Sequence, residues 1–286
     1  MSVVITGATG HLGRLVVEDL LAQGVAADQI VATGRRIERL TDLGVPAAVA
    51  DFDDPRTLEA AFAGADTVLL VSGSEPGGRV AQHTRAIEAA RTAGVRRVVY
   101  TSAPKASGPA WTMSPEHKGT EEVLRASGLA WTILRNNWYH ENYGPTLEQA
   151  ARTGTVLTSA GQGRVASAAR ADLAAAAAAV LNSPGHEGRV YELTGDVAWT
   201  FDEFAAAAAQ VLGRPVTATH VSGEEHAAIL SGAGVDQGTI GFLVAMDADI
   251  RAGVLGDATS DLRDLIGRPT TPLVDGLRSL AVSAAA

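Results

Sequence analysis

The sequence predicts an α/β protein built on a doubly wound parallel sheet, with a second, smaller lobe toward the carboxyl terminus. Three observations support this fold class. Short apolar segments alternate with helical periodicity through the first half of the chain, the connections between them are short, and a glycine-rich turn follows the first apolar segment. Repeated strand–helix units of this kind form parallel sheets with helices on both faces.

Six short segments, mostly apolar and often β-branched, are the predicted strands. Each of the first five precedes a stretch with helical periodicity. The stretch 79–94, for example, is amphipathic and ends on glycine, which commonly ends a helix. The predicted strands are residues 2–6, 29–33, 47–50, 67–72, 97–101 and 131–134.

The second half of the chain is less regular. Residues 172–181 are predicted to form a helix because they are rich in alanine, the residue with the strongest helix propensity. Residues 189–193 are predicted to form one more strand. Thr200 and Glu203 have the spacing of a capping box, which predicts a helix from there to about Leu212.

The domain boundary is placed where the regular strand–helix alternation ends. The first domain covers residues 1–144 and contains the glycine-rich turn. The second is a smaller lobe within residues 145–286, and a segment near 171–195 is expected to return to the first domain's sheet. No internal repeat and no disordered linker is evident in the chain.

Composition excludes several classes of function. The 286 residues are 46% apolar and carry a net charge of −9, so no nucleic-acid partner is expected, because binding to phosphate backbones depends on clustered Lys and Arg. Cysteine is absent, and the seven histidines show no spacing typical of a metal site. We recognise neither a signal peptide nor a membrane span and expect a cytoplasmic monomer or homodimer that does not bind membranes.

The strongest chemical signal is TGATGHLG at residues 6–13, which follows the first predicted strand and opens a helix. Glycines in this pattern permit a tight turn, close approach of the backbone to a pyrophosphate, and close packing of helix on strand. The helix N-terminus then offers unpaired N–H groups to phosphate. A tight turn without a ligand is the alternative. We predict a Rossmann-like dinucleotide site with contacts from Gly7, Thr9, Gly10, His11, Leu12 and Gly13.

The end of the second predicted strand indicates which cofactor binds. An NAD site usually has Asp or Glu there to bind the ribose 2′-hydroxyl, but this chain has Thr33, Gly34, Arg35 and Arg36. Arg35 can form paired hydrogen bonds with a 2′-phosphate. NADP(H) is therefore the predicted cofactor, and a solvent-exposed pair of arginines that opens a helix is the alternative.

Further segments resemble one known family from end to end of the chain. These segments make the chain resemble the NmrA-like group of atypical short-chain dehydrogenases. Within this group it most resembles the bacterial type 2 NAD(P)H:quinone oxidoreductases, and triphenylmethane reductases are near relatives. Gly34 departs from this group, which usually has an apolar residue before the arginine. The segments are TGATGHLG, QIVATGR, ADFDD, LLVSGSE, VVYTSA, EHKGTEEVL, LRNNWYHENY, GHEGRVYELTGD, AWTFDE and LIGRPTTPL.

The resemblance implies further cofactor contacts at the ends of later strands, where ligands of doubly wound folds bind. Asp51 and Phe52, after the third strand, are expected to lie against adenine, and a polar strand end over a core phenylalanine is the alternative. Small residues after the fourth and fifth strands are expected beside the ribose and nicotinamide, although such residues also form ordinary turns. They are Ser72, Gly73, Ser74, Thr101, Ser102 and Ala103.

PEHKGTEEVL, residues 115–124, lacks the Tyr-x-x-x-Lys pair that short-chain dehydrogenases usually carry on the helix after the fifth strand. Reduction of a ketone creates an alkoxide whose conjugate acid has a pKa of about 15.7, whereas reduction of a quinone creates a phenolate with a pKa of about 10. The gap corresponds to about 8 kcal/mol, so a ketone reductase needs a positioned acid far more than a quinone reductase does. The missing tyrosine therefore favours a quinone or a cationic dye as the acceptor.

Candidate residues for the acceptor lie on this helix and after the sixth strand. His117 could polarise the acceptor oxygen, and a surface pair between His117 and Glu121, one helical turn apart, is the alternative. Asn137 can donate to a carbonyl oxygen, while Trp138 and Tyr139 offer flat faces to an aromatic acceptor. Aromatic residues that only join the two lobes are the alternative for this segment. We predict His117 and Asn137 as catalytic residues and Asn137, Trp138 and Tyr139 as substrate-binding residues.

Two functions from different classes remain open. In the first, the protein is an NADPH-dependent quinone reductase that passes hydride directly to a small aromatic acceptor, without flavin. In the second, it is an NADP(H)-binding redox sensor of the NmrA type, which reports to a protein partner and has no turnover. The short loop after the fifth strand and the aromatic segment after the sixth favour the enzyme.

Overall fold

The core of the computed structural model is a seven-stranded sheet in the order β3-β2-β1-β4-β5-β6-β8, and its neighbouring strands are parallel. The structure describes residues 2–73, 75 and 77–285, with side chains described as far as residue 282. The strand order reverses at β1, as in a doubly wound fold, and the predicted fold class is confirmed. The strands of this sheet are β1 (Val3–Ile5), β2 (Ile30–Gly34), β3 (Ala47–Val49), β4 (Thr67–Leu70), β5 (Arg97–Ser102), β6 (Ala130–Asn136) and β8 (Arg189–Leu193).

A separate pair of parallel strands, β7 (Thr155–Thr158) and β9 (Thr217–His220), lies in the second lobe. The predicted capping box forms there, because the Thr200 hydroxyl accepts from the Glu203 N–H and the Glu203 carboxylate accepts from the Thr200 N–H. The helices are α1 (His11–Ala22), α2 (Pro55–Phe62), α3 (Arg79–Thr92), α4 (Ser114–Ala126), α5 (Gly144–Thr153), α6 (Arg170–Asn182), α7 (Phe201–Leu212), α8 (Gly223–Gly232), α9 (Gln237–Arg251), α10 (Asp261–Ile266) and α11 (Leu273–Ala285).

The predicted helix after β2 is wrong. Two short 3-10 turns, Ile37–Arg39 and Thr41–Leu43, lie there instead. Gly44 ends the second turn in the left-handed conformation, with a φ of 68°, and β3 begins at Ala47. Gly44 and Pro46 lie in this connection, and glycine and proline are the two residues least compatible with a helix.

Helices cover both faces of the sheet. Val3 and Ile5 of β1 face α1 and α6, whereas Val4 faces α2 and α3, because side chains alternate along a strand. The alanines of α6 are small enough to let α1 approach it closely, so packing as well as helix propensity explains the alanine run. Those buried against α1 and the sheet are Ala174, Ala176, Ala177 and Ala178.

The second lobe has its own core. The rings of Tyr143, Trp199, Phe201 and Phe204 pack edge to face or tilted, with centroids 5.0–6.2 Å apart. The later half of the chain also returns to the first sheet through α6 and β8, and the division near residue 144 remains our proposal. Among the described residues, no helix has the length and apolar character needed to cross a membrane.

We expect Gly13→Ala to destabilise the protein by roughly 1–3 kcal/mol, because it overpacks a rigid contact. A Cβ at Gly13 would lie 2.6 Å from the Gly7 carbonyl oxygen, which belongs to backbone and cannot rotate away. The measurement is the free energy of unfolding in urea. Gly241→Ala is the matched control, because this glycine also lies within a helix and a Cβ there would meet no atom within 4 Å. It should stabilise by about 0.5–1 kcal/mol, and equal effects of the two changes would contradict the packing role of Gly13.

Candidate active site

Two adjoining cavities open at the carboxyl edge of the sheet. The larger cleft, about 500 Å³, runs from the turn after β1 to the loop after β4. The smaller cavity, about 320 Å³, lies between the ends of β5 and β6 and the second lobe. Ser72, Gly73 and Tyr139 border both cavities, so ligands in the two can meet there.

Most predicted site residues line one of these cavities. Thr101 lines neither, and Ser74 lies outside the described residues. The larger cleft contains Gly7, Thr9, Gly10, His11, Leu12, Gly13, Arg35, Asp51, Phe52, Ser72, Gly73 and Tyr139. The smaller cavity contains Ser72, Gly73, Ser102, Ala103, His117, Asn137, Trp138 and Tyr139.

The glycine-rich turn leaves the start of α1 open to the larger cleft. Gly7 adopts a φ of 62°, and its carbonyl oxygen accepts from the Gly10 N–H at 2.9 Å. Gly10 is the N-cap of α1 and provides no side-chain cap, so among the described residues no side chain caps the N–H groups of the first turn. This end of the helix fits a phosphate group.

The end of β2 packs directly on this turn. A Cβ at Gly34 would lie 2.6 Å from Cγ2 of Thr9, so the departure from the family pattern at Gly34 makes room for the Thr9 side chain. Arg35 follows, largely exposed, with a guanidinium nitrogen 3.3 Å from Oε1 of Glu75. Such an exposed ion pair is worth about 1 kcal/mol or less, and a phosphate dianion can displace it.

The turn after β3 is fixed by hydrogen bonds from neighbouring elements. Arg85 Nε donates to the Phe52 carbonyl oxygen at 2.7 Å, and Gln82 Nε2 donates to Asp53 Oδ2 at 3.0 Å. Asp51 Oδ1 accepts from the Asp53 N–H at 3.0 Å, which leaves its second carboxylate oxygen for a ligand. Asp51 and Phe52 therefore present a hydrogen-bond acceptor and a flat ring to the larger cleft.

The loop after β4 is held on both sides of the Gly73 peptide. Its N–H donates to His83 Nε2 at 3.3 Å, and its carbonyl oxygen accepts from Arg79 Nε at 3.0 Å. The Thr101 hydroxyl accepts from the Ser72 N–H at 2.9 Å, so Thr101 supports the wall from behind instead of lining it. Sequence reasoning missed Arg79 and His83, because α3 gives no local signal that these two side chains reach back to the loop.

The floor of the smaller cavity contains two asparagine amides, which differ in how far their polar atoms are hydrogen-bonded within the protein. Asn137 Oδ1 accepts from the Trp138 N–H at 2.7 Å, and its Nδ2 donates to the Leu255 carbonyl oxygen at 3.2 Å, which leaves one N–H. Asn136 was not predicted, yet its buried Oδ1 has no hydrogen-bond partner within the described part of the chain. A buried acceptor of this kind fits the amide NH₂ of a nicotinamide group.

His117 is buried in the wall of the smaller cavity. Its Nδ1 lies 2.8 Å from the hydroxyl of Tyr100, a side chain that is itself fully buried. Burial, and then the charge of Arg79, lower the pKa of the His117 imidazole to about 3. The ring is therefore neutral at physiological pH and carries a single N–H. Its Nε2 has no hydrogen-bond partner in the described part of the chain.

The predicted alternative of a surface pair between His117 and Glu121 is wrong, because both side chains are buried and the carboxylate has other partners. Glu121 accepts from the Ser102 hydroxyl at 2.7 Å and from Arg135 Nε at 2.8 Å. Burial alone would raise the pKa of Glu121, but these hydrogen bonds keep it below its usual value. Lys118, which follows His117 in the chain, is exposed.

Two further residues were missed in the sequence. The Arg170 guanidinium lies 4.9 Å from the ring centroid of Tyr139, lines the larger cleft and has no carboxylate partner among the described residues. Phe242 of the second lobe lines the smaller cavity opposite Trp138. Both lie over 30 residues from the nearest predicted site residue, and only the tertiary structure brings them to the site.

The fold and the larger cleft together define a dinucleotide-binding protein. The N-terminus of α1, the arginines after β2 and the hydrogen-bonded loop after β4 all line this one cleft. Residues 7–184 match the NAD(P)H-binding family, and the chain belongs to this family. No group of three or more potential metal ligands is found in the described part of the chain.

Similar proteins agree with this assignment. The chain is 41% identical to quinone oxidoreductase 2 of Escherichia coli (strain K12) over 97% of its length and 98% of that protein. A crystal structure of the NADPH-dependent quinone oxidoreductase of E. coli complexed with NADPH has a TM-score of 0.92 at 41% identity, covering 99% of both chains. Triphenylmethane reductase of Citrobacter sp. complexed with NADP(H) has a TM-score of 0.92 at 35% identity, covering 98% of this chain and 100% of that one.

These comparisons confirm the family resemblance that the sequence motifs predict. They also confirm the prediction of an NAD(P)H-dependent oxidoreductase. The individual roles of the site residues stay predictions.

We expect the His117 imidazole to remain neutral in the folded protein down to pH 5. The pKa values of His117 and His83 are both lowered to about 3 by burial, whereas the unfolded value is 6.5. Between these values the unfolded chain binds more protons, so stability falls as the pH falls below 6.5, by up to about 2.7 kcal/mol per pH unit for the two groups. Histidine NMR titration and urea unfolding between pH 7 and 5 measure this. A His117 resonance that titrates near pH 6.5 in the folded protein would contradict it.

Proposed function

We propose that the protein reduces quinones with NADPH by direct hydride transfer, without flavin. The observation that carries this proposal is the smaller cavity, which adjoins the larger cleft and offers a neutral imidazole and aromatic walls but no positioned acid. A quinone tolerates this environment, because its reduced oxygen is a phenolate with a pKa of about 10. The names of the two similar proteins, a quinone reductase and a dye reductase, point the same way.

The larger cleft supplies what NADPH requires. The N-terminus of α1 would hold the pyrophosphate, Arg35 the 2′-phosphate, and Asp51 with Phe52 the adenine. At the border with the smaller cavity, which Asn136 lines, its Oδ1 would accept a hydrogen bond from the carboxamide, since it is buried without a partner among the described residues. When bound, NADPH supplies the hydride. The clamped Gly73 peptide fixes the wall that separates the two cavities.

The smaller cavity orients the acceptor. If Tyr100 donates its hydroxyl proton to Nδ1 of His117, the single imidazole N–H is at Nε2 and can donate to an acceptor oxygen. The remaining N–H of Asn137 is a second donor. The quinone gains one hydride and one proton to become a hydroquinone. Because the phenolate is stable enough to form without simultaneous protonation, the proton can come from solvent after the hydride transfer. Orientation then provides most of the rate enhancement.

The site residues named above all come from one chain, which is compatible with a monomer and with a homodimer. A redox sensor without turnover would need only the larger cleft. The smaller cavity, with its hydrogen-bond donors at the border of that cleft, favours the enzyme.

Arg35→Ala should weaken NADPH binding about ten- to a hundredfold and leave NADH binding unchanged. The reason is the loss of one charge-assisted phosphate contact, worth ~1.5–3 kcal/mol. Isothermal titration with both nucleotides measures it. Arg39→Ala is the matched control, because this arginine lies just beyond the cleft residue Arg36 in the chain and does not line the cleft. Equal loss for the two nucleotides would show that Arg35 does not recognise the 2′-phosphate.

The purified protein should oxidise NADPH with 1,4-naphthoquinone and show no turnover with cyclohexanone. The ketone lacks the stabilised product anion and finds no positioned acid in the smaller cavity. NADPH absorbance at fixed protein concentration follows both reactions, and nucleotide binding is measured in parallel. Tight NADPH binding without turnover on any quinone would replace the enzyme with the redox sensor.

A further inference from the structure

Phe242 is an exposed aromatic side chain at the mouth of the smaller cavity. It lies in the first half of α9 and is 40% exposed. Its ring centroid is 6.4 Å from that of the half-buried Trp138, and the two ring planes are inclined by 34°. The two rings are therefore neighbours at the mouth, tilted with respect to each other and not stacked in parallel contact.

One member of this pair is fixed. The Trp138 N–H donates to Asn137 Oδ1 at 2.7 Å, and its carbonyl oxygen accepts from the Ala168 N–H at 3.0 Å. Both backbone groups of Trp138 are thus held, and its ring continues the floor of the cavity. A rigid aromatic face at this position can bind a flat ligand at low cost in conformational entropy.

The other member is held less firmly. The second half of α9 is anchored, because Asp247 accepts from the Ser159 N–H at 2.5 Å and Asp249 accepts from the Thr112 N–H at 3.0 Å. The first half, residues 237–243, is exposed except for Ile240. Phe242 can therefore shift by a fraction of an ångström without breaking these anchors.

The spacing of the rings decides what fits between them. A flat ring that stacks on both sides needs about 7 Å between the outer rings, twice the ~3.5 Å separation of carbon atoms in contact. The 6.4 Å between the ring centroids is an upper limit on the gap between the ring faces, so this gap is at least about 0.6 Å short. A small outward shift of Phe242 would admit a planar group, whereas a tetrahedral or branched group would require a much larger opening.

We propose that Trp138 and Phe242 form an aromatic clamp for the outer ring of a planar, fused-ring acceptor, and that Phe242 sets the preference for such acceptors over single-ring ones. This inference rests on the proposed function. The reacting ring must lie deep in the cavity, near His117 and the Ser72–Gly73 border. A single-ring quinone placed there leaves the clamp empty, while a second fused ring extends into it.

The test compares 1,4-naphthoquinone with 1,4-benzoquinone, which share the reacting ring and differ by one fused ring. Phe242→Ala should raise the KM for naphthoquinone roughly tenfold, the size of one aromatic contact, and leave kcat and the KM for benzoquinone within about twofold. Phe242→Trp should retain wild-type KM values. Leu243→Ala is the matched control, because Leu243 is the next residue, is 38% exposed and does not line the cavity.

A second readout does not depend on turnover. Binding of naphthoquinone to the NADP⁺-saturated protein, followed by quenching of tryptophan fluorescence, should weaken by the same factor in Phe242→Ala. Equal KM changes for the two quinones, no change for either, or the same loss in Leu243→Ala would each overturn the clamp. If the wild-type protein reduces no quinone, the proposed function fails, and the binding comparison still decides whether Phe242 holds a fused-ring ligand.

Discussion

The buried carboxylate of Glu121 is the constraint on which the acceptor side of the molecule depends. It receives hydrogen bonds from the Ser102 hydroxyl and from Arg135, which also pairs with Glu192 at 2.8 Å. These contacts join α4 to the ends of β5, β6 and β8. Arg125 also pairs with this carboxylate at 3.0 Å, so loss of Arg135 would leave one ion-pair partner and destabilise the protein by up to about 3–5 kcal/mol, the cost of breaking a buried pair. The same pairing leaves no carboxylate for His117, which contacts Tyr100 instead and stays neutral.

The two cavities differ in the charge of the side chains that line them. Arg35 and Arg170 face the larger cleft, although the chain as a whole has a net charge of −9. In the smaller cavity Arg79 is paired with Glu116 at 2.8 Å, and the side chains left free are amides, aromatic rings and a neutral imidazole. Electrostatics therefore favours an anionic dinucleotide in the larger cleft and an uncharged flat acceptor in the smaller cavity before any specific contact forms.

The sequence predicted the fold and the cofactor cleft better than the acceptor cavity. TGATGHLG and Arg35 can be recognised locally, because a turn and a strand end are determined by neighbouring residues. The helix after β2 was predicted wrongly, since the periodicity was read without the weight of Gly44 and Pro46, which disfavour a helix before β3. The pairing of His117 with Glu121 was also wrong, because helical spacing does not show that Arg135, on another strand, binds the carboxylate more strongly.

The sequence by itself determined the fold class, the glycine-rich turn after β1, the arginine that follows β2 and the absence of the usual tyrosine acid. Apart from the fold class, each of these depends on residues within a few positions of one another. Only the tertiary structure decided that Thr101 supports the wall, that Arg79 and His83 clamp Gly73, and that Phe242 faces Trp138. The physical reason is that these contacts are made by side chains from separate elements, and their positions are set by packing of the whole chain.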